Sequence, residues 1–323
     1  MESTRNKLIE LLEKNKMNYI SGQQLSNELN ISRTAVWKHM KELEKDGYMI
    51  KAVPRKGYQI TKSPNKISEN TLHWGLHTNW LAKDLVRKVS VPSTQIIGHQ
   101  LAADDANHGT VIIADEQTRG KGRMNRTWHS AKDQGIWMSI ILRPKIPPVH
   151  APQITLLAAT VLADVISEFD LKPLIKWPND VYLNNKKVAG ILTEMRAEQD
   201  QINYLILGIG INVNNSIQFF PDDIKEIATS LKIETGQTFD LRHLIQRILE
   251  SFELTYDRFT MDGFPFIKQK WENYGYKLGE KVVLHTFNKQ EEVTLVGIEA
   301  DGALIVKHND NSVETVYSAE IKW

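Results

Sequence analysis

Hydrophobic periodicity changes character twice along this chain, and each change marks a different kind of domain. Residues 5 to 47 read as three short helices, with Leu8, Ile9, Leu11 and Leu12 on one face, then Leu25 and Leu29, then Val36, Met40 and Leu43. Ser21 and Ser32 stand where N-caps belong, because a hydroxyl there accepts from unpaired first-turn amides. The Asn30-Ile31-Ser32 connection then forms a tight turn. From Tyr48 to Ile60 the pattern becomes two short strands around Pro54-Arg55-Lys56-Gly57, a β-wing. The polar stretch Ser63-Pro64-Asn65 sets a domain boundary.

From about Ile67 to Trp271, β and α signals alternate. Strands are expected at 110–114, 136–143, 174–177, 187–195 and 203–213, and helices at 152–169, with Ile154, Leu157, Ala158, Val161, Leu162 and Val165 spaced for one face, and at 240–260 behind Asp240 as N-cap. Beyond Tyr276 helical spacing ends, and four short strands divided by turns, one at Asp301-Gly302, predict a small β-barrel. A chain of 323 residues is too long for one core. The expected fold is α+β and multidomain, divided at 1–63, 66–272 and 275–323.

Composition removes several classes of function. With no cysteine, disulfides, thiolate catalysis and Cys-ligated zinc are excluded, and the ten histidines show no metal-ligand spacing, so no metal site is expected. No window is read as holding the roughly 18 apolar residues of a membrane span, and the N-terminus lacks a secretory pattern. A cytoplasmic protein with no membrane partner is expected. The net charge of +1 conceals residues 31 to 62, which hold eight Lys or Arg against three Asp or Glu. With Ser32 opening the third helix, Arg33, Thr34, Lys38, His39 and Lys41 are expected to face outward, with Arg55 and Lys56 at the wing tip. Such groups reach phosphates and base edges in a major groove, which makes a DNA-binding winged helix-turn-helix the preferred reading over a solvated basic face.

The segment Asp115 to Trp128 carries four cations within eight positions, Arg119, Lys121, Arg123 and Arg126, interleaved with Gly120 and Gly122. Glycine lets backbone amides approach an anion and Lys and Arg supply charge-assisted bonds, so a polyanion is the natural guest.

Here the sequence resembles the biotin protein ligases, in particular their bifunctional members that double as biotin operon repressors. The family's GRGRRG loop with its following tryptophan corresponds to Gly120-Lys121-Gly122-Arg123-Met124-Asn125 and Trp128, and its Ser-Thr-Asn/Gln element to Ser93-Thr94-Gln95. KWPND is intact as Lys176-Trp177-Pro178-Asn179-Asp180, followed by Lys187-Val188-Ala189-Gly190-Ile191-Leu192, and the glycine-rich strand is Gly208-Ile209-Gly210-Ile211-Asn212-Val213. The resemblance spans the chain. It implies a winged helix, a central mixed sheet related to class II synthetases, and a C-terminal SH3-like barrel.

The reaction it implies joins biotin to ATP as biotinyl-5'-AMP, with Mg²⁺ neutralising the triphosphate, and then transfers biotin to a lysine of biotin carboxyl carrier domains of biotin-dependent carboxylases. The resemblance assigns Arg123 and Lys187 to the carboxylate and α-phosphate, with Asp180 orienting the acceptor lysine. It places Ser93, Thr94, Gln95, Gln117, Lys121 and Gly122 with them around biotin, and Arg126, Trp128 and Asn212 around the adenylate. Biotinyl-5'-AMP is also the expected corepressor, promoting a homodimer that binds operator DNA. Lys121, Met124 and Asn125 depart from the family's Arg, Arg and Gly, which bears on retention of the intermediate. Two alternatives are a lipoate ligase, disfavoured by the wing, KWPND and terminal barrel, and a biotin-sensing regulator without catalysis.

Overall fold

The computed structural model describes residues 4–15, 17–45, 47–62, 69–73, 75–286 and 289–322, so the Ser63-Pro64-Asn65 boundary lies outside the described residues. The chain divides into two compact units, one of residues 1–77 and 240–246, the other of residues 78–239 and 247–323.

In the first unit, helices α1 (Thr4–Lys14), α2 (Gly22–Leu29) and α3 (Arg33–Lys45) precede a hairpin of β1 (Met49–Val53) and β2 (Gly57–Lys62), and a short helix α4 (Glu69–His73) follows. Both expected caps form: Gln24 N–H donates to Ser21 Oγ at 3.0 Å and Ala35 N–H to Ser32 Oγ at 3.1 Å. Asn30 closes α2 in the left-handed conformation, which asparagine tolerates. The predicted apolar positions Leu8, Leu12, Leu25, Val36, Met40 and Leu43 meet with Ile20 and Ile60 in one core. Ile20 and Tyr58 exchange two backbone hydrogen bonds of 2.9 Å, tying the segment before α2 to the wing.

The second unit is built on one mixed sheet. Its strands are β3 (Leu85–Val91), β4 (Val111–Lys121), β5 (Thr127–Ser130), β6 (Gly135–Leu142), β7 (Leu174–Lys176), β8 (Asp180–Leu183), β9 (Lys186–Glu198) and β10 (Gln201–Asn212). They lie in the order β3-β4-β6-β10-β9-β8-β7, with β5 paired to β4. Among the described strand pairs of this sheet only β3 and β4 run parallel, joined through helix α5 (Thr94–Ala103), as a crossover requires. The strands expected from sequence all form, β10 buried along nearly its whole length. Helix α6 (Ala151–Ser167) is apolar on every side, with 14 of its 17 residues buried, rather than on one face, because it lies between the sheet and another helix. By length and composition alone Pro148–Ser167 could span a bilayer, which corrects the expectation that no window is apolar enough, but 72% of its 18-residue apolar window is buried inside the protein.

Helices α7 (Leu231–Thr235), α8 (Leu241–Asp262) and α9 (Pro265–Tyr274) follow. Asp240 caps α8, accepting from Arg242 N–H at 2.9 Å. The buried Glu253 carboxylate of α8 accepts from the amides of Asn79, Trp80 and Leu81, which supplies the partners a buried charge needs. The C-terminal strands β11 (Lys281–His285), β12 (Gln290–Ile298), β13 (Leu304–Lys307), β14 (Val313–Val316) and β15 (Glu320–Lys322) form an antiparallel sheet in the order β14-β13-β12-β11-β15. The expected barrel is not closed: among the described residues β14 and β15 do not pair. Three residues connect these two edges and so hold them within about 14 Å, which curls the sheet without sealing it. Its β12–β13 turn is anchored by Trp177 Nε1, donating to Gly302 O at 3.1 Å, and by Gln153 Nε2, donating to Ala300 O at 2.9 Å.

Candidate active site and DNA-binding surface

The KWPND segment joins β7 to β8 and places its polar side chains against the start of β9. Asn179 is fixed at both ends of its amide, Nδ2 donating to Ile191 O at 2.8 Å and Oδ1 accepting from the Arg123 guanidinium at 3.2 Å. Asp180 Oδ1 lies 2.7 Å from Lys187 Nζ. The Lys187 backbone is held from the far side, its N–H donating to Ile227 O at 2.8 Å and its carbonyl accepting from Thr229 N–H at 2.9 Å. Arg123 and Lys187, 64 residues apart in sequence, thus reach the neighbouring side chains of Asn179 and Asp180 at one site. Burial pulls the Arg123 pKa below its usual value, opposed by Asp180, and does the same to Lys176 beside them. Cations this poorly solvated gain strongly from an anionic ligand.

Trp128 roofs this cluster. The Lys187 ammonium lies 5.2 Å from the centre of its ring, and Trp128 Nε1 is buried without a hydrogen-bond partner. A Cβ at Gly210 would come within 2.4 Å of Trp128 Nε1, and one at Gly190 within 3.0 Å of the same ring, so both glycines are fitted to the indole. Between Gly120 and Trp128 the chain turns tightly, Gly122 N–H donating to Arg126 O at 2.7 Å. Met124 and Asn125 both have positive φ, 53° and 58°. The residue that replaces the family's glycine is therefore asparagine, which occupies the left-handed region at little cost. Arg126 reaches out of the loop to Glu320 of β15 at 2.6 Å, and each holds the other charged: Arg126 is raised and Glu320 lowered in pKa. Lys121 is exposed at the end of β4, and Asn212 is buried at the end of β10.

A polar network lies beneath α5. Gln117 Oε1 accepts from Thr94 N–H at 2.8 Å and lies 3.1 Å from Thr94 Oγ1, and Gln117 Nε2 donates to Ser130 Oγ at 2.8 Å. Ser139 Oγ lies 2.8 Å from Thr94 Oγ1 and 3.0 Å from Gln95 Oε1. Ser93 caps α5, its Oγ accepting from Gln95 N–H at 3.3 Å. Ser93, Thr94 and Gln95 are all buried. Sequence reasoning passed over Ser139 and Ser130. Ser139 carried a signal, a lone hydroxyl in an otherwise apolar strand, whereas Glu320 carried none.

On the first unit, Ser32, Arg33, Thr34, Lys38 and Lys41 are exposed along α3, and Arg55 and Lys56 at the wing tip. His39 is half-buried, its Nδ1 3.7 Å from Glu42, rather than turned fully outward. Lys41 pairs with Glu44 at 2.6 Å. Trp37, which the sequence reading did not single out, is half exposed among these cations. It lies outside the Val36, Met40, Leu43 core register, which was its signal.

A winged helix-turn-helix in one chain with a mixed-sheet domain that gathers half-buried cations under a glycine-rich loop defines a class of enzyme that activates a carboxylate and carries its own DNA-binding module. Comparison with known proteins agrees. The profile of the Biotin/lipoate A/B protein ligase family matches residues 87–212, an HTH domain residues 4–59, and the Biotin protein ligase C terminal domain residues 277–322. The chain is 45% identical over 324 residues to the Bifunctional ligase/repressor BirA of Bacillus subtilis, covering 100% of this chain and 99% of that protein. It is 26% identical to that of Escherichia coli, covering 94% and 92%. The biotin protein ligase from Aquifex aeolicus in complex with biotin and ATP superposes with a TM-score of 0.64 at 30% identity, over 74% of this chain and 98% of that one. The chain belongs to the biotin protein ligase family, in its bifunctional ligase/repressor branch.

Proposed function

We propose that this protein is an ATP-dependent biotin protein ligase that forms biotinyl-5'-AMP, transfers biotin to a lysine of biotin carboxyl carrier domains, and acts as a biotin-operon repressor. The convergence of Lys187 and Arg123 on one carboxylate and one amide carries this reading.

In the first step a carboxylate oxygen of biotin attacks the α-phosphorus of ATP and pyrophosphate leaves. Two negative groups must approach, and the half-buried cations Arg123 and Lys187 offset their repulsion. Thr94 and Gln117, backed by Ser93 and Gln95, meet the ureido group, and Lys121 and Gly122 border the carboxylate. Arg126, Trp128 and Asn212 take the adenylate, with the Trp128 N–H as a free donor. When Lys187 turns from Asp180 to the anion, Asp180 is released to orient the incoming lysine. That amine attacks the mixed anhydride, forms the amide and expels AMP. Mg²⁺ fits as an ion carried by the nucleotide, since one carboxylate plus phosphate oxygens is a donor set it accepts; it would neutralise the departing pyrophosphate.

The operator is read by α3 and the wing, through Ser32, Arg33, Thr34, Lys38, His39, Lys41, Arg55 and Lys56. Adenylate-promoted dimerisation would use β3, the outer strand of the mixed sheet, where Lys88, Val89 and Ser90 are exposed. A cytoplasmic location suits both activities.

The test is incubation with biotin, ATP and Mg²⁺, with pyrophosphate release followed first and the mass of an added carrier domain afterwards. One biotin on one lysine is the expected product. Biotin binding without pyrophosphate would leave only a sensor. Light scattering on the same samples should show the mass double once adenylate forms, and a constant mass would remove the dimer from the reading.

Trp37 gives the DNA reading a sharper test. An indole contacts apolar base or sugar surface and neutralises no phosphate, whereas Lys38 releases counterions. Trp37→Ala should weaken operator binding about tenfold with its salt slope unchanged, and Lys38→Ala should reduce the slope by about one. Equal slopes in both variants would contradict the assignment.

A further inference from the structure

We infer that Glu194 is a positioning residue for biotin recognition, acting through Gln95 on the hydroxyls of Ser139 and Thr94. The inference rests on the reading of Thr94 and Gln117 as the ureido site and adds a residue remote from it.

Gln95 is 3% exposed, and its amide lies across three strands. Nε2 is 3.0 Å from Glu194 Oε2, 3.3 Å from Leu192 O and 3.5 Å from Ile206 O. A carboxylate and two carbonyls can only accept, so the amide must turn its NH₂ toward them. Oε1 then faces Ser139 Oγ, 3.0 Å away. A carbonyl oxygen also only accepts, so the single hydroxyl proton of Ser139 is committed to Gln95.

That commitment passes along the network. Ser139 Oγ and Thr94 Oγ1 are 2.8 Å apart, and with the Ser139 proton already used, the Thr94 hydroxyl is drawn to donate to Ser139 in competition with Gln117 Oε1 at 3.1 Å. When Thr94 gives its hydroxyl proton to Ser139, Gln117 Oε1 keeps the Thr94 backbone N–H and a lone pair open to a ligand. Reversing the Gln95 amide would reverse the sequence: Ser139 donates to Thr94, Thr94 donates to Gln117, and the open acceptor is filled. A ureido group presents two N–H donors, so the acceptors that fix Gln95, with Glu194 the nearest and only charged one, bear on whether the pocket offers them an acceptor.

Glu194 is itself held in place. Its Oε2 lies 3.3 Å from His99 Nε2, and His99 Nδ1 lies 3.4 Å from the Tyr204 hydroxyl, at the outer end of the same network. A Cβ at Gly208 would come within 3.0 Å of the Gln95 amide, so the Gln95 side chain of α5 is seated directly against β10.

The experiment is steady-state kinetics on the full chain with biotin and ATP varied separately. E194K presents donors to the Gln95 amide and should raise the KM for biotin about tenfold, with kcat and the KM for ATP within about twofold of wild type. E194Q can still offer an acceptor and should stay within about threefold of wild type for biotin. In a Q95L background E194K should add nothing, because the residue that transmits it is gone. Equal behaviour of E194K and E194Q, an equal effect on ATP, or additivity with Q95L would each overturn the inference. If E194K does not fold, E194L takes its place, with a smaller rise in the KM for biotin expected because the Leu192 and Ile206 carbonyls still face the amide. Wild-type protein that releases no biotin-dependent pyrophosphate would instead sink the ligase reading, so the two failures are distinguishable.

Discussion

Lys187→Ala should slow adenylate formation about 10²- to 10³-fold, the loss that follows when a preorganised charge is removed from a site where negative charge develops. Arg123→Ala should do the same. The expected effect falls on the first step: single-turnover pyrophosphate release collapses, while overall stability changes little, because the cations Arg123 and Lys176 remain near Asp180. Asp180→Ala should separate the two steps. Pyrophosphate release persists and transfer to the carrier domain becomes the slower event. Pyrophosphate release at the wild-type rate by Lys187→Ala would mean that the lysine is only an ion-pair partner of Asp180, and that the carboxylate and phosphate meet elsewhere.

Gly57→Ala should abolish operator binding and leave biotin transfer within about twofold of wild type. Gly57 has φ +112°, outside what a side chain permits, and an added Cβ would lie 2.1 Å from Ile20 O and 2.7 Å from Ser21 Cα. These are backbone atoms, so no rotamer change relieves the clash. Relief requires breaking the paired hydrogen bonds between Ile20 and Tyr58, at a cost of roughly 3 kcal/mol or more. The wing would then separate from the segment before α2. Gel-shift and biotinylation assays on one preparation decide it. Unchanged operator affinity would show that the wing does not contribute to DNA binding.

What could be read in advance follows from how local each cause is. The caps at Ser21, Ser32 and Asp240 act within three residues and formed as expected. The central strands were marked by apolar runs whose partners need not be known. Strands β5 and β8, four residues each, bury too little to leave a pattern and exist because β4 and β9 pair with them. The site was legible as a set of motifs, but not as an arrangement. That Asn179 is tied to Ile191 and Arg123, or that Arg126 reaches a carboxylate 194 residues away, depends on the fold as a whole. The single-faced reading of α6 failed for a related reason. Periodicity reports one buried side well, but a helix covered on both sides looks like a bilayer segment.

The placement of Trp128 has a practical consequence. Its indole is packed against two glycines, stands 5.2 Å from the Lys187 ammonium and meets Trp137 edge-on with ring centres 6.5 Å apart. An anion that draws Lys187 away removes a positive charge from one face of a chromophore whose emission depends on the local field. The protein therefore carries an intrinsic optical probe at the spot where its reactive intermediate would form. Substituting the other seven tryptophans by phenylalanine, where stability permits, would turn the enzyme into a label-free meter of its own occupancy.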